Sequence, residues 1–143
     1  MRLFFRSLVV TEIFLIVILW TMPFYDHLWL SAEMLDLVRW SGYAAIAPVS
    51  DLLYWGSFFL WLLILTGLFL FIRVTRLAFF LYLLVYAMLQ ILWGVQVSTP
   101  IEMFLSSVLG VIDGVLLSMA YFSSVSSEFK SQEIKENDSD GQR

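Results

Sequence analysis

The chain has 143 residues, of which 61% are hydrophobic and 14% charged, with a formal charge of −4 and no cysteine. Soluble domains carry about 25% charged residues and about half apolar ones, so a water-soluble core of this size is excluded and lipid is the solvent that tolerates the excess. Disulfides, thiol redox chemistry and cysteine metal sites are excluded as well, and no basic cluster points to nucleic acid.

The first apolar run covers about 3–22 and stops at Pro23. Arg2 and Arg6 precede it, as in a signal peptide, but its end, Trp20-Thr21-Met22-Pro23-Phe24, is bulky where a peptidase needs small residues. It reads as an uncleaved anchor. The segment from Pro23 to Ser50 is the one long connection. Within about 30–40, Leu30, Met34, Leu37 and Val38 share one helical face, opposite Ser31, Glu33, Asp36 and Arg39. This predicts a short amphipathic helix on the outer membrane surface, either as a cover over the bundle or as a docking element for a partner.

Three further runs follow at about 52–72, 77–97 and 100–122. Each has the roughly 20 residues that cross a hydrocarbon core of about 30 Å, and lipid requires such spans to be helices. Trp20, Trp29, Trp55 and Trp93 fall near the expected interfaces, as aromatic belts do. The link Arg73-Val74-Thr75-Arg76 makes the second and third spans antiparallel neighbours. Thr99, Pro100 and Glu102 form a capping box with proline at its preferred place, a specific helix start. From Ser123 onward the chain is rich in Ser, Glu, Lys and Asp, and 125–143 is expected to be a disordered tail. A docking peptide around Phe129 and Ile134 is the alternative.

Arg2, Arg6, Arg73, Arg76, Lys130, Lys135 and Arg143 all fall on one side of this scheme, and Arg39 alone on the other. The positive-inside rule then gives both termini in the cytoplasm. The expected fold is an all-α membrane protein: a four-transmembrane-helix bundle over 1–124, N-in/C-in, with the interfacial helix in its first outer loop. A bacterial inner membrane fits the pattern.

Charged groups inside a span are costly and mark functional candidates. Glu12 and Asp113 qualify, and at 1.5 Å per residue both lie roughly 10–15 Å from the cytoplasmic boundary. Thr66, Tyr82 and Tyr86 fall at similar depth, which predicts one intramembrane polar layer fed by all four spans. Two acids placed together there would share a proton or take a cation. Alternatively the layer fixes helix register, or Glu12 reaches Arg73 or Arg76. Ser106, Gly110, Gly114 and Ser118 form a small-residue ladder on the fourth span, a helix-packing face used inside the monomer or for self-association. Gln90 is expected level with Ser106 and Ser107.

His27 is the one histidine and has no converging ligand set, so no metal, cofactor or catalytic constellation is expected. The leading expectation is a non-enzymatic protein acting through helix contacts with itself or another membrane protein, in an accessory, assembly or immunity-type role. The alternative is a small oligomeric proton-coupled transporter using Glu12 and Asp113.

Overall fold

The computed structural model describes residues 1–47 and 49–129. These residues form helices and connecting turns, with no strand among them. The main α-helices among the described residues are, in order, α1 (Arg2–Thr21), α2 (Ala32–Val38), α3 (Asp51–Phe69), α4 (Arg73–Gln90) and α5 (Pro100–Phe122). Extended through their flanking turns where these continue them, α1, α3, α4 and α5 are long and apolar enough to cross a membrane. Their outward faces carry Phe14, Leu63, Leu84, Phe104 and Val111, all exposed, a surface suited to hydrocarbon.

Helical periodicity sets the packing. On α1 the buried positions are Phe5, Val9, Glu12 and Ile16, at intervals of four, three and four. On α5 they are Leu109, Ile112, Leu116, Met119 and Ala120. α1 packs against α5 and α3, while α4 lies on α3 and touches α5. α4 buries Phe79 alone among its residues, so it is the least enclosed span.

At one end of the bundle, here the terminal end, α3 turns into α4 through Leu70–Ile72. Ile72 N–H donates to the Gly67 carbonyl at 2.9 Å and Phe71 N–H to the Leu68 carbonyl at 3.0 Å, the two bonds of a Schellman closure. Phe71 holds the left-handed position at φ 59°, where glycine is usual. Its ring explains the exception. It stacks 5.7 Å from Phe5 and meets Phe129 edge-on at 5.2 Å.

Phe129 and Val125 depart from the expected solvated tail, since both are fully buried against this cluster. They are the apolar residues of an otherwise Ser-rich stretch, and the rings of Phe5 and Phe71 give them a surface to cover. The Arg76 guanidinium lies 5.0 Å from the Phe129 ring and donates to the Ala120 carbonyl at 3.2 Å. Arg2 pairs with Glu128 across the same end. The rest of the expected tail, 130–143, lies outside the described residues.

At the opposite, loop end, α2 starts at the Ser31 cap, whose Oγ accepts from Met34 N–H at 3.3 Å. The following chain lies along the connection before α5. Gly42 N–H donates to the Val95 carbonyl at 2.8 Å, Val95 N–H to the Tyr43 carbonyl at 3.0 Å, and Ile46 N–H to the Leu92 carbonyl at 2.9 Å. This seam corrects the expected third span. Helix was predicted to Val97, but α4 ends at Gln90, a short turn covers Ile91–Trp93, and Gly94 breaks direction at φ 75°. A side chain at Gly94 would meet the Tyr43 carbonyl oxygen at 2.4 Å, so the seam needs glycine there. The capping box at α5 forms: Glu102 N–H donates to Thr99 Oγ1 at 3.2 Å, and Thr99 N–H to the Glu102 carboxylate at 2.6 Å.

Candidate functional site

Glu12 is a core residue because helical spacing places it in register with Val9 and Ile16; it is 0% exposed. Its carboxyl interacts with that of Asp113, half-buried on α5, the helix α1 packs on most extensively. Both Glu12 carboxyl oxygens and Asp113 Oδ1 are closed off from solvent, and none has a hydrogen-bond donor in the protein. Two ionised carboxylates are both acceptors. The contact becomes a hydrogen bond when one proton sits between them, or an ion pair when a cation does.

The expected alternative, Glu12 reaching an arginine of the terminal end, is not formed. Its oxygens meet neither Arg73 nor Arg76. Arg76 is turned to the Ala120 carbonyl, and Arg6 donates to the Phe69 carbonyl at 3.3 Å with its guanidinium 5.1 Å from the Phe71 ring.

Beside Asp113 lies a cavity of about 280 Å³ between the four long helices. Ile16 and Trp20 line it from α1, Trp61 from α3, Tyr82, Tyr86 and Gln90 from α4, and Ser106, Gly110 and Asp113 from α5. One wall is a column of rings. Trp61 stacks 5.3 Å from Phe79 and 4.3 Å from Tyr82, and Tyr82 stacks 5.9 Å from Tyr86. The Tyr82 hydroxyl donates to the Ser57 carbonyl at 3.1 Å, which fixes the ring. Trp20 stands on the other side, tilted 5.5 Å from Tyr54, with its indole N–H buried and without an acceptor. A second chamber of about 480 Å³ lies toward the loop end, lined by Ser41, Gly42, Tyr54 and Gln96 among others. It shares Trp20 and Tyr86 with the first.

Of the expected polar layer, the fold brings Glu12, Asp113, Tyr82 and Tyr86 to one region and leaves Thr66 out. Thr66 is exposed on α3, and its hydroxyl donates back to the Leu62 carbonyl at 2.7 Å. Equal depth does not ensure equal bearing: Leu65 and Leu68 take the inward positions on that helix. Ser106, Gly110, Gly114 and Ser118 are all exposed, and nothing lies within 4 Å of where a side chain at Gly110 or Gly114 would begin. Gln90 and Ser106 line the same cavity, while the Ser107 hydroxyl turns to the Met103 carbonyl at 2.8 Å. Sequence reasoning missed Trp61, and gave Trp20 to the interfacial belt alone. The signal was present for both. Trp20 continues the Glu12–Ile16 stripe at an interval of four, and Trp61 lies three residues after buried Phe58. No group of three or more metal-ligating side chains converges among the described residues.

A comparison with known proteins finds no matching family model, no similar curated protein and no similar solved structure.

Proposed function

We propose that this is a multi-pass membrane protein, of a bacterial inner membrane and with both ends cytoplasmic, that moves protons in exchange for a small solute through its buried carboxyl pair. One observation carries the reading: Glu12, wholly buried in an apolar helix, faces Asp113 with no protein donor for either of its oxygens. Ionisable groups in that setting are expensive and persist where they do work. The positive-inside pattern supports the orientation, and α2 then rests on the outer surface with Met34 and Leu37 toward lipid. Four helices enclose a small cavity, so the working form is an oligomer. In proteoliposomes loaded with a bacterial small-molecule extract and placed under an imposed pH gradient, the wild type carries proton flux, and Asp113→Asn and Glu12→Gln abolish it. Equal flux in all three proteins removes the reading.

A second, non-enzymatic reading is an interaction protein that joins itself or another membrane protein through α5, in an accessory, assembly or immunity-type role. The open space at Gly110 and Gly114 favours it, since small residues let a second helix approach closely. Cross-linking in the native membrane followed by pull-down tests it. A strictly monomeric protein with no co-purifying chain counts against it.

A further inference from the structure

We propose that the cavity beside Asp113 binds a small organic cation, a protonated amine or alkylammonium, which enters from the loop end. The inference rests on the carboxyl-pair reading and names the class of solute that would exchange with the proton.

The polar atoms of the cavity call for a ligand. Asp113 Oδ1 is a buried acceptor with no donor. Behind it stands Glu12, 0% exposed and unpartnered at both oxygens. Buried acceptors left in this state are costly, and a cationic N–H or ammonium group satisfies them directly.

The walls define the chemistry of the rest of the ligand. Trp20, Trp61, Tyr82 and Tyr86 line the space. Tyr82 is covered on both faces by Trp61 and Tyr86, so the attraction of a ring face for a cation falls to Trp20 and Tyr86, which combined with a carboxylate suit alkylammonium groups. No Lys, Arg or His is among the lining residues, so an anion has no counter-charge there. A bare divalent metal is disfavoured too, because Asp113 is the single carboxylate on the wall and such ions take six or more oxygens. At about 280 Å³ the space lies just below the range of sites for drug-sized ligands, so the cation is small.

The route in follows from geometry. The second chamber shares Trp20 and Tyr86 with the first and reaches Ser41, Gly42 and Gln96 at the loop end. At the terminal end Phe5, Phe71 and Phe129 pack ring on ring, all 5% exposed or less. Binding is balanced in charge: the cation arrives and the proton shared by Glu12 and Asp113 leaves. The ionisable groups facing that pair are Tyr82 and Tyr86 on α4. α3 contributes the uncharged Trp61, and Arg6 and Arg76 are turned to the Phe69 and Ala120 carbonyls.

The test uses the full chain in phosphatidylglycerol nanodiscs, whose headgroups carry no ammonium group, titrated with choline and with 3,3-dimethylbutanol, its uncharged isostere. Tryptophan fluorescence and calorimetry read the binding. Choline is expected to bind saturably, and the isostere at least about tenfold more weakly. Asp113→Asn should weaken choline by about ten- to a hundredfold. Tyr86→Leu, which leaves both carboxyls in place, should weaken it by about two- to thirtyfold. Circular dichroism checks that each variant retains its helices, and a misfolded Asp113→Asn leaves the isostere and Tyr86→Leu arms to decide. Equal affinity for choline and isostere, no saturable choline binding, or undiminished binding in a folded Asp113→Asn each overturn the proposal. If choline fails while wild-type proton flux persists and is lost in Asp113→Asn, the cation class falls and the carboxyl-pair function stands. If flux is absent as well, both fall.

Discussion

Glu12 on α1 and Asp113 on α5 present their carboxyls to each other across the most extensively packed helix pair of the bundle, and no protein donor reaches either Glu12 oxygen. Replacing Glu12 by glutamine supplies an amide donor to Asp113 while keeping the shape. Folding should therefore be preserved, since the amide donor takes the place of the shared proton, with a change of no more than about 1 kcal/mol. The denaturation midpoint of Glu12→Gln is expected to stay close to that of the wild type. A clear fall would mean that the pair is chiefly a structural tie.

The terminal end depends on Phe129. Removing a fully buried phenylalanine ring costs about 3–5 kcal/mol, so Phe129→Ala should detach the segment after α5. Limited proteolysis after Phe122 reads this directly. Unchanged resistance would show that the ring contributes little.

Phe71 separates backbone strain from packing. Its left-handed backbone costs a non-glycine residue about 1–2 kcal/mol, and its ring packs on Phe5 and Phe129. Phe71→Ala keeps the strain and loses the ring, whereas Phe71→Gly loses both. The glycine variant should be the more stable of the two by about 1 kcal/mol in denaturant titrations. The reverse order would refute the role given to φ at this turn.

Gly94→Ala should open the seam at the loop end. The added carbon has 2.4 Å to the Tyr43 carbonyl oxygen, and the position already has positive φ. A cost of about 1–3 kcal/mol is expected, with faster hydrogen exchange at Gly42, Ile46 and Val95. The terminal end should not change its exchange rates.

Gly114→Ile with Ser118→Ile distinguishes association from folding. Both positions are exposed on α5 and lie outside the cavity lining, so the monomer should denature as before. Cross-linked oligomers should decrease severalfold in the membrane if α5 forms their interface. Loss of monomer stability instead would mean that the ladder packs internally.

Much of this arrangement was legible in the residues. Long apolar runs have one backbone solution in hydrocarbon, so the existence of the four long helices followed from length and composition. The capping box fixed the start of α5 to the residue. Depth counting brought Glu12 and Asp113 level. It failed at Thr66, because height along a helix says nothing about bearing around it. The end of α4 was misjudged because Leu92, Val95 and Val97 read as apolar span, whereas backbone pairing with Gly42–Ala47 claims Leu92 and Val95, and the Ser41 hydroxyl claims Val97. The burial of Phe129 was obscured by its Ser-rich surroundings, since composition averages away a single anchoring ring.

The pairing of α1 with α5 also orders the protein's birth. Glu12 leaves the ribosome about a hundred residues before Asp113, a delay of roughly 5–20 s at ordinary rates of synthesis. Through that interval its carboxyl has no native counterpart, and hydrocarbon is a hostile place to wait. The first helix would therefore hold its acid protonated, stay beside the insertion machinery, or tilt the acid toward water until the last helix arrives. Assembly closes from the far end of the chain backward, and a nascent product stalled before Asp113 would hold its most awkward residue unsheltered.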